Sequence, residues 1–367
     1  MNILYLTNHL NIGGISSYVL TLATGMKKRG HNVYIASSGG QLLPRFITEG
    51  IVYIPIPIKT KSEISYKVLI SKFKLLKYIK EKNIEIIHAN TRVMQVLSCL
   101  IQRTLSKPYV STCHGFFKKR FFRKIFPCWG NKVIAISESV KEHLIRDFQV
   151  KEEDIRVIHN GIDLDKFKIQ DQKLKIDIKK ELGLSEGPVI GIIARLSEEK
   201  GHIYLIKAMQ EVITRIPQAQ LLIVGEGRMR GKLVNLTKEM GLKKSVFFLP
   251  SVMDTQEVLS SMDLFVLPSL KEGLGLALME AMACGLAVVG SDVGGIKSLI
   301  QDRYNGLLVR PADSRALSYA ILELLQNPDK AKYLGTNARI FINQNFSQEK
   351  MVLGTEKVYS ECLNVKP

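Results

Sequence analysis

The sequence predicts an α/β fold of two doubly wound, Rossmann-like domains. Three observations lead there: a length of 367 residues, apolar strands alternating with amphipathic helices in both halves, and a lapse in that alternation after Asp165. A chain of this length exceeds one ordinary core and suits two domains. Its 46% hydrophobic and 23% charged residues are those of a soluble globular protein. Strand–helix alternation implies parallel sheets covered on both faces.

The first strand is the apolar run Asn2–Leu6, which leads through a polar loop to Gly13 and Gly14. Residues 15–28 follow with helical spacing, with Ile15, Tyr18, Val19, Leu22 and Met26 on one side. Lys27, Lys28 and Arg29 in the last turn complement the helix dipole, and Gly30 ends it. Strand 33–36 comes next, then helix 67–82 with strand 84–88, and helix 92–104 with strand 108–112. Residues 133–136 and 156–158 are further strands.

After a polar segment ending near Pro188 the pattern restarts with strand 189–194 and helix 202–215. Strand 221–224, helix 228–240 and strand 246–249 follow, then helix 255–261 with strand 264–267 and helix 276–284 with strand 287–290. Helices 313–326, 329–344 and 347–362 close the chain. The apolar stretch 274–290 is interrupted by Glu280 and Gly285, so it reads as a buried helix and strand, not a membrane span. Two such halves are expected to present a ligand cleft at the carboxyl ends of their strands.

Net charge is +18 and uneven. Residues 1–168 hold 27 Lys+Arg against 12 Asp+Glu, a balance of +15, and residues 169–367 hold 25 against 22, a balance of +3. Nucleic acid, an anionic membrane or a merely lysine-rich surface each fit such a half. The five cysteines, at 99, 113, 128, 284 and 362, have no C-x-x-C spacing, which disfavours disulfides and zinc and suggests a reducing compartment. The first residues, Met1–Thr7, lack the basic region of a signal peptide.

Four constellations carry chemistry. Gly13-Gly14 at a helix start lets backbone N–H groups approach an anion, though a tight turn explains the pair equally well. No third glycine completes a dinucleotide fingerprint, which disfavours a dehydrogenase. Arg195 and Lys200, just past the first strand of the second half, supply the paired cations that a diphosphate needs without a metal, or else pair with Glu198 and Glu199 on a surface loop. Glu272 and Glu280 bracket the glycine-rich run Gly273-Leu274-Gly275-Leu276. A carboxylate among Leu278, Met279 and Met282 is costly unless it meets donors such as ribose hydroxyls. His114-Gly115 ends a strand in the first half, where a histidine can touch substrate.

Together these residues resemble the retaining glycosyltransferases of group 1, which have the GT-B fold. The resemblance spans nearly the whole chain and includes Ser137-Glu138, Asn160-Gly161-Ile162-Asp163, Gly225-Glu226-Gly227 and Val293-Gly294-Gly295. It implies two Rossmann-like domains facing a central cleft: an acceptor domain over 1–168, a nucleotide-sugar domain over 169–345, and a final helix over 346–367 returning to the first domain. It also implies that Gly13 and Gly14 approach the donor and that Arg195 and Lys200 hold its diphosphate. Glu280 would bind ribose, while Glu272 and residues 273–276 contact the sugar. His114 would sit near the reacting carbon. The donor, preferably a UDP-sugar, is a substrate; no cofactor or metal is implied. This chain departs from many members in having Leu274 for phenylalanine, and Ser16-Ser17 and Lys297-Ser298 where a glutamate is common.

After His114 the run Phe116, Phe117, Lys118, Lys119, Arg120, Phe121, Phe122, Arg123, Lys124 interleaves aromatics with cations. This is the composition of an interfacial membrane contact, although an amphipathic helix packed inward has the same pattern. The expected partner is therefore a lipid-linked or membrane-proximal glycan acceptor at an anionic inner leaflet, with the enzyme cytoplasmic and peripheral; the family resemblance implies a setting in bacterial surface polysaccharide synthesis. No nucleic-acid motif accompanies the charge. An epimerase of the same fold or a non-catalytic relative are the alternatives.

Overall fold

A computed structural model describes residues 1–119, 121–167 and 178–364. They divide into two compact units, Met1–Gly161 with the helix Gln348–Leu363, and Ile162–Ser347. The first boundary lies at 161/162, seven residues before the expected position. Ile162 donates its backbone N–H to Phe346 O at 3.0 Å and bridges Ser347, which ties the start of the connecting segment to the second unit. The remainder of that segment, 168–177, lies outside the described residues.

The first unit contains a seven-stranded parallel sheet. Its strands are β1 (Asn2–Leu6), β2 (Asn32–Ser37), β3 (Val52–Pro55), β4 (Ile86–Ala89), β5 (Tyr109–Cys113), β6 (Lys132–Ala135) and β7 (Ile155–Val157), in the order β3-β2-β1-β4-β5-β6-β7. β3 was not expected from sequence: four residues, Val-Tyr-Ile-Pro, are too short for a pattern. The helix Glu138–Phe148 was likewise not anticipated, and Phe121–Ile125 is a short helix within the run for which an amphipathic helix was the alternative. Ser137 caps the former by accepting from Val140 N.

The last helix belongs to this unit because of a close approach. A Cβ on Gly25 of the first helix would stand 2.4 Å from Val352 Cγ2, and Gln348 donates to Thr21 O at 2.6 Å. Met351, Val352, Val358 and Tyr359 complete the core that Ile3, Tyr5, Val19 and Leu22 begin.

The second unit holds β8 (Val189–Ile193), β9 (Gln220–Val224), β10 (Val246–Leu249), β11 (Leu264–Leu267), β12 (Ala287–Ser291) and β13 (Leu307–Val309), in the order β10-β9-β8-β11-β12-β13. All pairs are parallel, and the strands are nearly continuous apolar runs, as burial on both faces requires. Only β13 went unread, because its three residues follow a turn-rich stretch. Both sheets reverse strand order beside their first strand. The loops after β1 and β4, and those after β8 and β11, therefore part at topological switch points, where open α/β sheets bind ligands.

Gly25→Leu should destabilise the first unit by about 2 kcal/mol through overpacking against Val352. Urea unfolding followed by circular dichroism is the measurement; an unchanged midpoint would contradict the contact.

Candidate functional site

The second unit brings Lys200 and Glu272 together. Lys200 sits in the loop after β8 and Glu272 in the loop after β11, and Lys200 Nζ donates to Glu272 Oε2 at 2.5 Å. Ser269 Oγ donates to the same oxygen at 3.1 Å. Glu272 is 8% exposed, so its charge is held almost out of water and depends on these two partners. Lys200, for which Glu198 and Glu199 were the alternative partners, thus pairs with Glu272 across the switch point.

Backbone contacts fix this arrangement. Gly201 has φ +69°, and a Cβ there would lie 1.8 Å from Pro268 O. Leu270 N donates to Glu199 O at 2.8 Å, and Gly295 N donates to Glu272 O at 3.0 Å. A Cβ on Gly295 would meet Gly273 O at 2.1 Å. The loops after β8, β11 and β12 are therefore packed backbone against backbone.

Gly273, Leu274 and Gly275 lead from Glu272 into the helix Leu276–Ala283, whose N-cap is Gly275 with no side-chain cap. Its first N–H groups are thus left for a ligand or water. Leu274 is buried, 1% exposed, and belongs to the core. Glu280 is half-buried and accepts from Thr255 Oγ1 at 2.9 Å. Burial raises its pKa to about 7, the Thr255 hydrogen bond opposing and nearby Asp254 adding to the rise, with Lys166 lowering it. Arg195 stands apart: its side chain is 70% exposed and 3.9 Å from Glu199, a surface pair of little energetic weight. Behind Lys200, His202 is 2% exposed, and burial together with that lysine lowers its pKa to about 4.

In the first unit Gly13 caps the helix Gly14–Lys28, again without a side-chain cap, and a Cβ at Gly13 would meet nothing within 4 Å. The space beside it is open, so crowding is not why glycine is there; its φ of +155° is. His114 follows β5. Its Nε2 lies 3.2 Å from Asn90 Oδ1, and its ring meets Tyr18 edge-on with centroids 4.6 Å apart. Burial lowers its pKa to about 3.

Beneath it runs a polar network that sequence reading missed. His88 Nε2 is 2.6 Å from Thr112 Oγ1 and Nδ1 is 2.6 Å from the Tyr359 hydroxyl. Tyr18 OH lies 3.1 Å from Thr112 Oγ1, and Tyr359 OH donates to Tyr5 OH at 3.1 Å. A signal existed: His88 interrupts the apolar strand Ile86-Ile87-His88-Ala89, where an imidazole must find partners. Nothing comparable marked Thr255 or Ser269.

The aromatic–basic run divides. Arg123 is buried, 7% exposed, and its guanidinium lies 4.1 Å from the Phe117 ring centroid and 5.2 Å from that of Trp129. Phe117 N donates to His143 Nε2 at 2.9 Å, and Phe116 meets the His143 ring edge-on at 5.3 Å. These three residues pack inward, as the alternative to a membrane contact has it, because Trp129, His143 and Phe148 offer the aromatic faces a guanidinium prefers. Phe121, Phe122 and Ile125 are exposed at 77%, 43% and 64%, as are Lys118 and Lys119, the latter 3.1 Å from Asp147. Arg120 and the Lys124 side chain lie outside the described residues.

Comparison with known proteins bears on this geometry. A model of Glycosyltransferase Family 4 matches residues 12–166, and one of Glycosyl transferases group 1 matches residues 175–341. An Escherichia coli protein named UDP-Gal:alpha-D-GlcNAc-diphosphoundecaprenol alpha-1,3-galactosyltransferase is 31% identical over 314 residues, covering 81% of this chain and 80% of its own. The chain belongs to the group 1 glycosyltransferases. Over a longer span, the N-acetyl-alpha-D-glucosaminyl L-malate synthase of Bacillus anthracis is 26% identical to this glycosyltransferase, covering 98% of this chain and 96% of its own. The fold is that of solved relatives. Anabaena HepE, crystallised with UDP-glucose, superposes with a TM-score of 0.88 at 23% identity, over 98% of this chain and 100% of that one. The two parallel-sheet units are the Rossmann-like domains of the GT-B fold.

The depressed pKa of His202 makes stability depend on pH. A histidine kept neutral in the fold contributes stability that is present above the ordinary value of about 6.5 and is lost as pH falls toward the folded value, here about 4. Between pH 7 and 5 the contribution of His202 should be lost as pH falls, whereas that of Glu280, raised to about 7, grows in the opposite sense. His202→Gln should reduce the dependence by up to about 1.4 kcal/mol per pH unit below 6.5. Urea titrations at pH 7, 6 and 5 check this; parallel pH profiles would refute it.

Proposed function

We propose that this glycosyltransferase moves a sugar from a nucleotide diphosphate donor, preferably a UDP-sugar, onto a lipid-linked or membrane-proximal acceptor in bacterial surface polysaccharide synthesis. It would do so without a metal and with retention of configuration. The observation that carries the donor reading is the uncapped start of Leu276–Ala283 beside Lys200 and Glu272 at the second switch point. An uncapped helix start and an adjacent ammonium group suit a diphosphate.

In this reading Lys200, Arg195 and the N–H groups at 274–276 hold the diphosphate. Glu280 accepts from the ribose hydroxyls, while Glu272, Gly13, Gly14 and His114 face the sugar. The acceptor hydroxyl oxygen forms its bond to the anomeric carbon as the bond to the β-phosphate oxygen breaks. The departing phosphate takes the acceptor proton, which dispenses with a carboxylate nucleophile. The leaving diphosphate gains charge, and fixed donors stabilise it more than they stabilise the intact donor.

The acceptor reading draws on the Escherichia coli relative, whose name gives a diphosphoundecaprenol acceptor, and on surface chemistry. On the helix Tyr66–Glu81, Tyr66, Leu69, Ile70 and Phe73 are exposed at 67%, 51%, 49% and 69%, alongside the exposed Lys74, Lys77 and Lys80. Arg92 ties the two apolar–basic segments together: it pairs with Glu63 just before this helix and donates to Phe126 O at 2.6 Å just after Phe121–Ile125. A lysine near an anionic leaflet contributes about 1 kcal/mol. The Bacillus anthracis relative, named for L-malate, favours a second reading, in which the acceptor is a small anion and the basic surface serves it.

A thermal-shift panel of UDP- and GDP-sugars, with and without EDTA, tests the donor. A UDP-sugar should raise the melting temperature and chelation should change nothing; stabilisation that requires Mg²⁺ or Mn²⁺ would overturn metal independence. Because ribose hydroxyls need a charged Glu280, affinity for a UDP-sugar should fall as pH drops from 8 to 6, and Glu280→Gln should abolish that dependence at a cost of about 1–3 kcal/mol. The diphosphate of an intact nucleotide-sugar does not titrate in this range, so calorimetry isolates the glutamate. Vesicles of phosphatidylglycerol should sediment the wild type at low salt, and Ile70→Ser with Phe73→Ser should weaken that several-fold. Sedimentation that is absent or insensitive to these changes would favour the small-anion acceptor.

A further inference from the structure

The buried amide of Asn90 determines what His114 can recognise. Asn90 follows β4 and is 1% exposed. Its Nδ2 donates to His88 O at 3.2 Å, which turns its other end, the carbonyl Oδ1, toward His114 Nε2 at 3.2 Å. An amide oxygen only accepts, so the imidazole proton of this contact must reside on Nε2. Among the described residues no group hydrogen-bonds His114 Nδ1. Tyr18 stands edge-on to the ring, and its hydroxyl is held by Thr112, which His88 holds in turn, so the ring is confined on two sides.

We propose that Asn90 is a positioning residue: it fixes His114 as the neutral Nε2–H tautomer, so that His114 presents the Nδ1 lone pair and selects a ligand that donates a hydrogen bond there, a sugar hydroxyl and not a phosphate oxygen. This rests on the reading that a donor sugar reaches His114. An imidazolium would attract phosphate oxygens; a neutral ring with its only proton engaged by Asn90 repels their lone pairs. The burial that keeps His114 neutral, to about pH 3, agrees with this geometry. His114 then contributes to the choice of sugar, not to neutralising the leaving group, which falls to the second unit.

Long-range proton–nitrogen correlation spectra of protein labelled with ¹⁵N-histidine test the tautomer without any turnover. The His114 signal is assigned by its loss in His114→Gln. At pH 7 the wild type should show a protonated Nε2 and an unprotonated, pyridine-like Nδ1; the Nδ1–H form or an imidazolium would overturn the proposal. Asn90→Leu should shift the tautomer ratio by about tenfold toward Nδ1–H, and an unchanged ratio in a folded variant would remove Asn90 as the cause. Should that variant not fold, Asn90→Ala is measured in its place, and the wild-type spectrum remains decisive. In calorimetry, Asn90→Leu should weaken UDP-glucose several-fold while leaving UDP within about twofold, a split that a general loss of stability would not give. Failure of UDP-glucose to bind the wild type would count against the donor reading alone, since the spectrum stands without it.

Discussion

The second unit depends on a close approach of three loops, and the Lys200–Glu272 pair is what that approach achieves. Glycines at 201 and 295 allow the loops after β8, β11 and β12 to touch backbone to backbone. Only then do a lysine and a glutamate separated by 72 residues in sequence come within 2.5 Å. A nearly buried carboxylate is expensive to hold, and removing its cation would leave it worse off. The arrangement is therefore rigid in a particular sense: Lys200 cannot leave Glu272 unless something replaces it, and an arriving anion must share the lysine with the carboxylate.

The first unit solves a different problem. The groups around His114 are neutral: hydroxyls, an amide and two imidazoles held far below their usual pKa by burial. The network from Tyr5 through Tyr359, His88 and Thr112 to Tyr18 satisfies every ring nitrogen of His88, and a fully satisfied buried network specifies one packing. It also explains why the last helix is part of this unit. Tyr359 brings from the end of the chain the hydroxyl that His88 needs. Charge handling and neutral hydrogen bonding are thus segregated by domain, although the sequence places the excess of positive charge in the neutral one.

The alternation of strands and helices was legible because each buried parallel strand is an uninterrupted apolar run and each covering helix an amphipathic one. Expected limits differ from those observed by a residue or two at most of these elements. Short pieces escaped: β3 and β13 are too brief for periodicity to register. The residue types at the site were legible, but their partnerships were not. Arg195 and Lys200 read as an equivalent pair of cations, yet Lys200 is half-buried against Glu272 and Arg195 is exposed. In the basic run the alternation of Phe with Lys and Arg could not show that Arg123 would prefer the ring of Phe117 to water.

These differences recast the apparent equivalence of the two glutamates. Glu272 has an ammonium and a hydroxyl on one oxygen, and its charge is already compensated. Glu280 has one hydroxyl, from Thr255, and burial without a cation in contact, which is why its pKa rises to about 7. A carboxylate so placed is short of donors, and a group that brought two hydroxyls would relieve it more than any change at Glu272 could. In the proposed reading the anion lies on Lys200's side of the helix start and the neutral diol at its second turn. One helix, Leu276–Ala283, thereby offers an uncapped, electropositive end and a donor-hungry flank one turn apart.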